Sequence, residues 1–389
     1  MPDTLTDTRR APGKSVLDAR LLSVQALRAV AALLVVWGHS IDAAEFSAMP
    51  RQARFFHLEN FGASGLDIFF VISGFIVSRV AVRSAMRERV SSGSPARHFL
   101  TRRITRIFPL YWILTIVVIL EQQFGRYKVP WHSVNWIPTI FLLPSVPSPH
   151  DLMNAPLLWL GWSLMFEMYF YLVLTVFLAW RPKTVVRDTG LFLCAMVLAG
   201  ALIGIHRPLL VLWMNPVILE FVFGCLIGVI FSSDLDIAGN VRRLGPWIGV
   251  AGAALLIATI FTGYGKASEA SSIMTGNACW LRAGIWGIPA ALLVAGVIFW
   301  NPEMRSFPAR LLVFLGDASY SIYLCTIPAR SGVEHFWRFF GRFGPDTGVL
   351  LGAIFCTAVG VVCYLLLERP MMRAFHNWYK PIPFGSVRA

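Results

Sequence analysis

Apolar runs of about 20 residues, the length a helix needs to cross a bilayer, recur along the whole chain with short polar segments between them. They lie near 21–43, 62–82, 104–120, 155–180, 188–206, 214–232, 244–262, 280–300, 311–329 and 347–367. The pattern predicts an all-α, polytopic integral membrane bundle of about ten transmembrane helices. It divides the chain into a polar leader (1–20), a membrane domain (21–368) and a tail (369–389). Only the segments 44–61, 121–154 and 263–279 are large enough to matter outside the membrane. The first run is too long for a signal-peptide core and lacks a small-x-small cleavage site, so an uncleaved first helix is expected.

Composition agrees with the pattern. Hydrophobic residues make up 56% and charged residues 14% of the 389 positions, against about a quarter charged in soluble domains. That excludes a soluble enzyme, a disordered chain and a nucleic-acid binder. Lys and Arg exceed Asp and Glu by 34 to 21, and their placement gives the excess a topological meaning. Arg83, Arg87, Arg89, Arg97, Arg102, Arg103, Arg181, Lys183, Arg187, Arg242 and Arg243 fall on one side of the alternating spans. The other side is leaner, with Arg51, Arg54, Arg126, Lys128 and Lys266. The positive-inside rule then puts both termini in the cytoplasm, where basic loops meet anionic lipid. Six cysteines without a CxxC read as small core residues, and no metal site is expected.

Ionisable groups inside hydrocarbon are costly and are functional suspects by default. Arg28 and His39 stand eleven residues apart on the first span. They fall within about 20° on the helix and about 16 Å apart along it. Asp67 opens the second span near the depth of His39, where a carboxylate could hold one ring nitrogen; a first-turn acid favoured by the helix dipole is the plainer reading. Ser73 follows on the same span, and Gly65 and Gly74 predict close helix approach.

Arg102, Arg103 and Arg106 form one cationic face at the start of the third span. Arginine throughout suits a bidentate grip on phosphate, and positive-inside topology is the competing explanation. In the fourth span Ser163 and Glu167 share a face, bracketed by Trp162 and Tyr171, whose rings suit sugar stacking. Glu167, like Glu220 two spans later, must be paired or neutral in such a place, or serve as polar glue between helices. Tyr320 and Ser321 open the ninth span with hydroxyls that suit a ligand or helix packing.

No Walker loop, HExxH or GxSxG is present. One deep histidine, buried carboxylates and an arginine cluster at the cytoplasmic mouth suit group transfer from a phosphorylated donor to a hydroxyl. The histidine serves there as general base or as transient nucleophile.

These segments together resemble the acyltransferase-3 family of integral membrane O-acyltransferases, and most of all its exopolysaccharide-modifying, ExoZ-like branch. The residues that carry the resemblance are Gln25 to Arg28 with Gly38 and His39, Gly65 to Phe75, Arg102 to Pro109, Trp162 to Tyr171, and Ser319 to Leu324. The resemblance implies ten core helices in the bacterial inner membrane and acetyl-CoA or another acyl-CoA as donor. It implies a polysaccharide or lipid-linked oligosaccharide as acceptor, and polysaccharide-assembly proteins as further partners. It makes His39 catalytic and Arg28, Arg103 and Arg106 donor contacts. Thr326 stands where the family commonly has histidine. No fused periplasmic esterase-like domain follows, so transfer is expected to be completed in the membrane domain.

The expectation is therefore an O-acyltransferase with His39 as base, oriented by Glu167 or Asp67. Arg28, Arg103 and Arg106 hold the donor, and Trp162, Ser163, Tyr171, Ser73, Tyr320 and Ser321 line the acceptor path. A transporter or flippase of a lipid-linked glycan is the alternative; it would show paired broken helices in two related halves.

Overall fold

Long apolar runs become helices here because a helix satisfies every backbone polar group within itself, which hydrocarbon demands. A computed structural model describes residues 21–46, 61–87, 94–124, 134–145, 155–204, 208–232, 236–262, 264, 273, 279–340, 342 and 344–378. The expected leader, the end of the tail and much of the three larger loops lie outside the described residues. The principal helices are α1 (Leu22–Phe46), α2 (Ser64–Arg87), α3 (Pro95–Phe124), α4 (Gly161–Trp180), α5 (Val185–Ile203), α6 (Ile218–Ser232), α7 (Asp236–Ala258), α8 (Cys279–Trp300), α9 (Phe307–Asp317), α10 (Ser319–His335), α11 (Pro345–Cys363) and α12 (Arg369–Trp378). Among the described residues, nine helices are long and apolar enough to cross a membrane, and α9 with α10 makes a tenth, bent span.

The outer surface is what a lipid-facing wall requires. Leu202, Phe261 and Leu366 are largely exposed on it. Several exposed tryptophans sit at helix ends, with Trp180 and Trp300 at one end and Trp213 and Trp280 at the other, as amphipathic rings do at a bilayer's two surfaces. The protein is a multi-pass membrane protein.

Inside, α1 and α2 form the centre, with α1 against α9, α10 and α11 and α2 against α6. Small residues set these distances. A Cβ at Gly65 would lie 2.3 Å from the Ala31 carbonyl oxygen, and one at Gly74 2.1 Å from that of Phe221. The backbones are that close, as both glycines predicted.

Two spans differ from the hydropathy reading. The third begins at Pro95 rather than near 104 and runs unbroken through Pro109. Its polar first turns are helical because Arg103 and Arg106 turn inward to a cavity, so they need not be apolar to be in the bundle. The ninth is not a single rod. It bends by 70° between Asp317 and Ser319, where the Ala318 N–H reaches back to the Phe314 carbonyl. Gly316 rests there on α1 so closely that a Cβ would come 1.8 Å from the Gln25 carbonyl oxygen. The break brings Ser319 and Tyr320, the first residues of α10, to the wall of the cavity. Two π-helical turns, Ala283–Gly287 in α8 and Tyr364–Glu368 between α11 and α12, adjoin the buried charges described next.

Candidate functional site

A cavity of about 120 Å³ lies between α1, α2, α3, α4 and α10. Polar residues of an otherwise apolar bundle converge on it because facing lipid would leave them unsatisfied. Arg28, Arg103 and Arg106 line it, together with Ser73, Ser163, Glu167, Tyr171, Ser319, Tyr320 and Tyr323. Most of the candidates on five separate sequence segments are thus brought to one place.

Glu167 is the acid among the lining residues. Ser73 Oγ donates to its Oε1 at 2.9 Å, and the Tyr171 hydroxyl donates to the same oxygen. Arg103 stacks over that tyrosine, its guanidinium carbon 5.6 Å from the ring centre, and over Phe99 at 5.4 Å. Its buried Nε has no hydrogen-bond partner. Arg106 lies 5.3 Å above the Tyr320 ring and pairs with Glu368 behind the wall. Glu368 also accepts from Ser321 N at 3.2 Å and from Ser321 Oγ. Three guanidiniums therefore face one carboxylate in the cavity, with a second carboxylate set back against Arg106. Toward the other end, Ser163 Oγ and the Tyr323 hydroxyl lie 2.7 Å apart, and both meet the Leu160 carbonyl, at 3.0 and 3.1 Å.

His39 stands further along α1 and is not among the residues lining this cavity. Its orienting partner is neither of the two acids expected. Nδ1 lies 2.8 Å from Asp42 Oδ2. Glu167 is held by hydroxyls, and Asp67 is bound bidentately by Arg282, at 2.7 and 3.1 Å. Arg282 also donates to the Ala63 carbonyl at 3.2 Å and stacks on Trp286 at 4.8 Å. Glu220 closes this group: it is fully buried beside Asp67, within hydrogen-bonding reach of that acid. Asp67 therefore belongs to a sealed cluster of α2, α6 and α8.

Two further candidates sit outside the cavity wall. Trp162 is buried edge-on against Phe70 and Phe166, at 6.4 and 6.0 Å, and Ser321 spends its hydroxyl on Glu368. Thr326 is buried and bonds back to the Ile322 carbonyl at 2.9 Å. Five of the six cysteines are buried, Cys194 being exposed, and all six are free thiols.

Sequence reasoning passed over Asp42, Arg282, Arg330 and Glu368. Three of them carried a signal. Asp42 follows His39 by three residues on the same helix, the spacing at which side chains meet. Arg282 is a lone charge at the edge of an apolar run, and Glu368 is an acid at the end of one. Arg330 lies 3.7 Å from Asp42, a neighbour that only the fold supplies.

The sequence of residues 21–369 matches the family model described as an acyltransferase domain, Acyl_transf_3. Among characterised proteins, the exopolysaccharide production protein ExoZ of Rhizobium meliloti is 31% identical over 331 residues, covering 82% of this chain and 92% of that protein. Acyltransferase MdmB of Streptomyces mycarofaciens is 28% identical over 78% of each chain. O-acetyltransferase OatA of Staphylococcus aureus is 23% identical over 69% of this chain and 46% of its own length. No solved structure matches the chain. A membrane bundle with a cationic cavity at its centre, matched by that model along nearly its whole length, belongs to the acyltransferase-3 family of membrane acyltransferases.

Proposed function

We propose that this acyltransferase moves an acyl group, acetyl in the first instance, from cytosolic acyl-CoA to a hydroxyl of an exopolysaccharide or a lipid-linked sugar precursor in the bacterial inner membrane. The observation that carries the reading is the charge of the cavity: Arg28, Arg103 and Arg106 against Glu167 alone. Guanidiniums grip phosphate oxygens bidentately, and CoA brings phosphates at one end and a thioester at the other. The pantetheine arm spans a distance on the order of the Arg28–His39 separation, about 16 Å along the helix. In this reading the arginine end faces the cytoplasm and the histidine end receives the acceptor. His39 takes the proton of the sugar hydroxyl as its oxygen bonds to the thioester carbonyl. The C–S bond then breaks and the proton passes to the departing thiolate. The exopolysaccharide acceptor is drawn from the similarity to ExoZ, whose name ties that protein to exopolysaccharide production.

The test is acyl transfer from labelled acetyl-CoA by membranes carrying the parent chain or His39→Ala. Mass spectrometry of the surface polysaccharide reads the product. Transfer should be lost in the variant while the protein stays inserted and binds donor; near-normal O-acylation by His39→Ala would sink the reading. The bent α9–α10 pair is the feature that favours transport instead. Among the described residues it is one bent pair, whereas transporters built from inverted repeats carry two in corresponding positions. Glycan movement without acyl transfer would decide for that alternative.

A further inference from the structure

A row of four side chains crosses from α1 to α10 at the histidine end. His39 Nδ1 meets Asp42 Oδ2 at 2.8 Å. Asp42 Oδ2 lies 3.7 Å from Arg330 Nη1, and Arg330 Nε donates to Glu334 Oε1 at 2.6 Å. The His39 side chain is 21% exposed and that of Asp42 38%, so neither is sealed in the interior.

The chemistry of the first bond decides what the ring can do. An ionised carboxylate only accepts hydrogen bonds, so Nδ1 is the nitrogen that carries hydrogen. In the neutral ring the lone pair then sits on Nε2. Arg330 balances the charge on Asp42 and restrains it, and Glu334 restrains Arg330 in turn. This is the relation of aspartate to histidine in a serine hydrolase, with an acceptor hydroxyl in place of serine.

We propose that Asp42 is the positioning residue for the catalytic base of this acyltransferase. It holds the tautomer that presents Nε2 to the acceptor hydroxyl and stabilises the imidazolium formed as that proton arrives. The proposal rests on the reading of His39 as base. The oxygen–carbon bond forms, the carbon–sulfur bond breaks, and the proton goes from hydroxyl to Nε2 to thiolate, with Asp42 ionised throughout. A merely structural pair predicts something different: a partly exposed ion pair adds little to stability, and its loss would leave turnover unchanged.

The experiment uses the full chain in lipid nanodiscs, [14C]acetyl-CoA and polysaccharide extracted from the producing cells. Asp42→Asn keeps the shape and removes the charge, and its amide can trap the opposite tautomer. The same exchange in a serine protease lowers kcat about 10⁴-fold; at this more open site a loss of roughly 10- to 1000-fold is expected. Donor KM should stay within about twofold, since Asp42 does not line the cavity; Asp42→Glu should recover part of the rate. The His39→Ala, Asp42→Asn double variant should be no slower than His39→Ala alone, because groups that act as a unit are not additive. An Asp42→Asn protein with parental kcat, or one altered in donor KM alone, overturns the proposal, and so does a double variant slower than His39→Ala. If His39→Ala is inactive while Asp42→Asn is normal, Asp42 falls and the base stands. If His39→Ala is active, both fall.

Discussion

Arg106–Glu368 and Arg282–Asp67 are both guanidinium–carboxylate pairs held within the bundle, and they are built differently. In the first, the acid is 2% exposed and the arginine 28%. The carboxylate is satisfied from behind by Ser321, and the cation faces the cavity. In the second, the side chains are 5% and 0% exposed. Arg282 is spent on Asp67 and the Ala63 carbonyl, with Glu220 enclosed beside them. A half-open pair leaves donor groups for a ligand, whereas a sealed pair has only internal work. Being charged within the membrane marks both; facing empty space separates them.

Breaking the sealed pair should have the largest effect. Removing one partner of a buried ion pair strands the other and costs about 3–5 kcal/mol, so Arg282→Ala should lose most of its folded, monodisperse protein on size exclusion in detergent. Arg282→Leu combined with Asp67→Leu should be recovered in higher yield than Arg282→Ala, since the stranded Asp67 carboxylate is gone and Glu220 can stay protonated among apolar neighbours. A double variant as poor as the single would mean that the pair does more than neutralise itself.

The open side should respond in binding rather than folding. Each charged hydrogen bond is worth about 1.5–3 kcal/mol, so Arg103→Ala should raise the acetyl-CoA KM about tenfold to a hundredfold with parental thermal stability. Arg106→Ala should raise KM similarly and also lower stability, because Glu368 loses its cation. Unchanged KM in both would return these arginines to topology alone.

Next in size is Glu167→Gln. Glutamine keeps the oxygen that Ser73 and Tyr171 donate to but removes the one carboxylate charge lining the cavity, so expression and donor binding should hold while turnover falls about tenfold, a barrier change of about 1.4 kcal/mol. As mere glue, the exchange would cost about 0.6 kcal/mol and leave turnover alone. The smallest effect belongs to Trp162→Phe. Its ring packs on Phe70 and Phe166, so a stability loss of about 1 kcal/mol with unchanged acetyl transfer is expected.

Much of this was legible before any coordinates. Twenty-residue apolar runs specify spans, and a polar residue inside one must turn inward, which is why Arg28, Arg103, Arg106, Ser73, Ser163, Glu167 and Tyr171 meet. What escaped was pairing at a distance. Asp67 was placed with His39 by depth, but its partner Arg282 comes from 215 residues later. Glu368 sits at a span's end beside Arg369, where a charge reads as interfacial, until a π-turn directs it inward. The bend in the ninth span is hidden because the polar residues around Ala318, Asp317 and Ser319, are too few to interrupt the apolar run; hydropathy registers the amount of apolar chain, not its direction.

The seat of Gly316 on the Gln25 carbonyl makes the helix break and the arginine stripe one mechanical part. Gln25, Arg28 and His39 all belong to the unbroken helix α1, which has no joint between them. A swing of α9 that widened the arginine end would press on Gln25 and tilt α1 as a rod. His39 at the far end would move in step, so clearance at one mouth is geared to the position of the imidazole at the other.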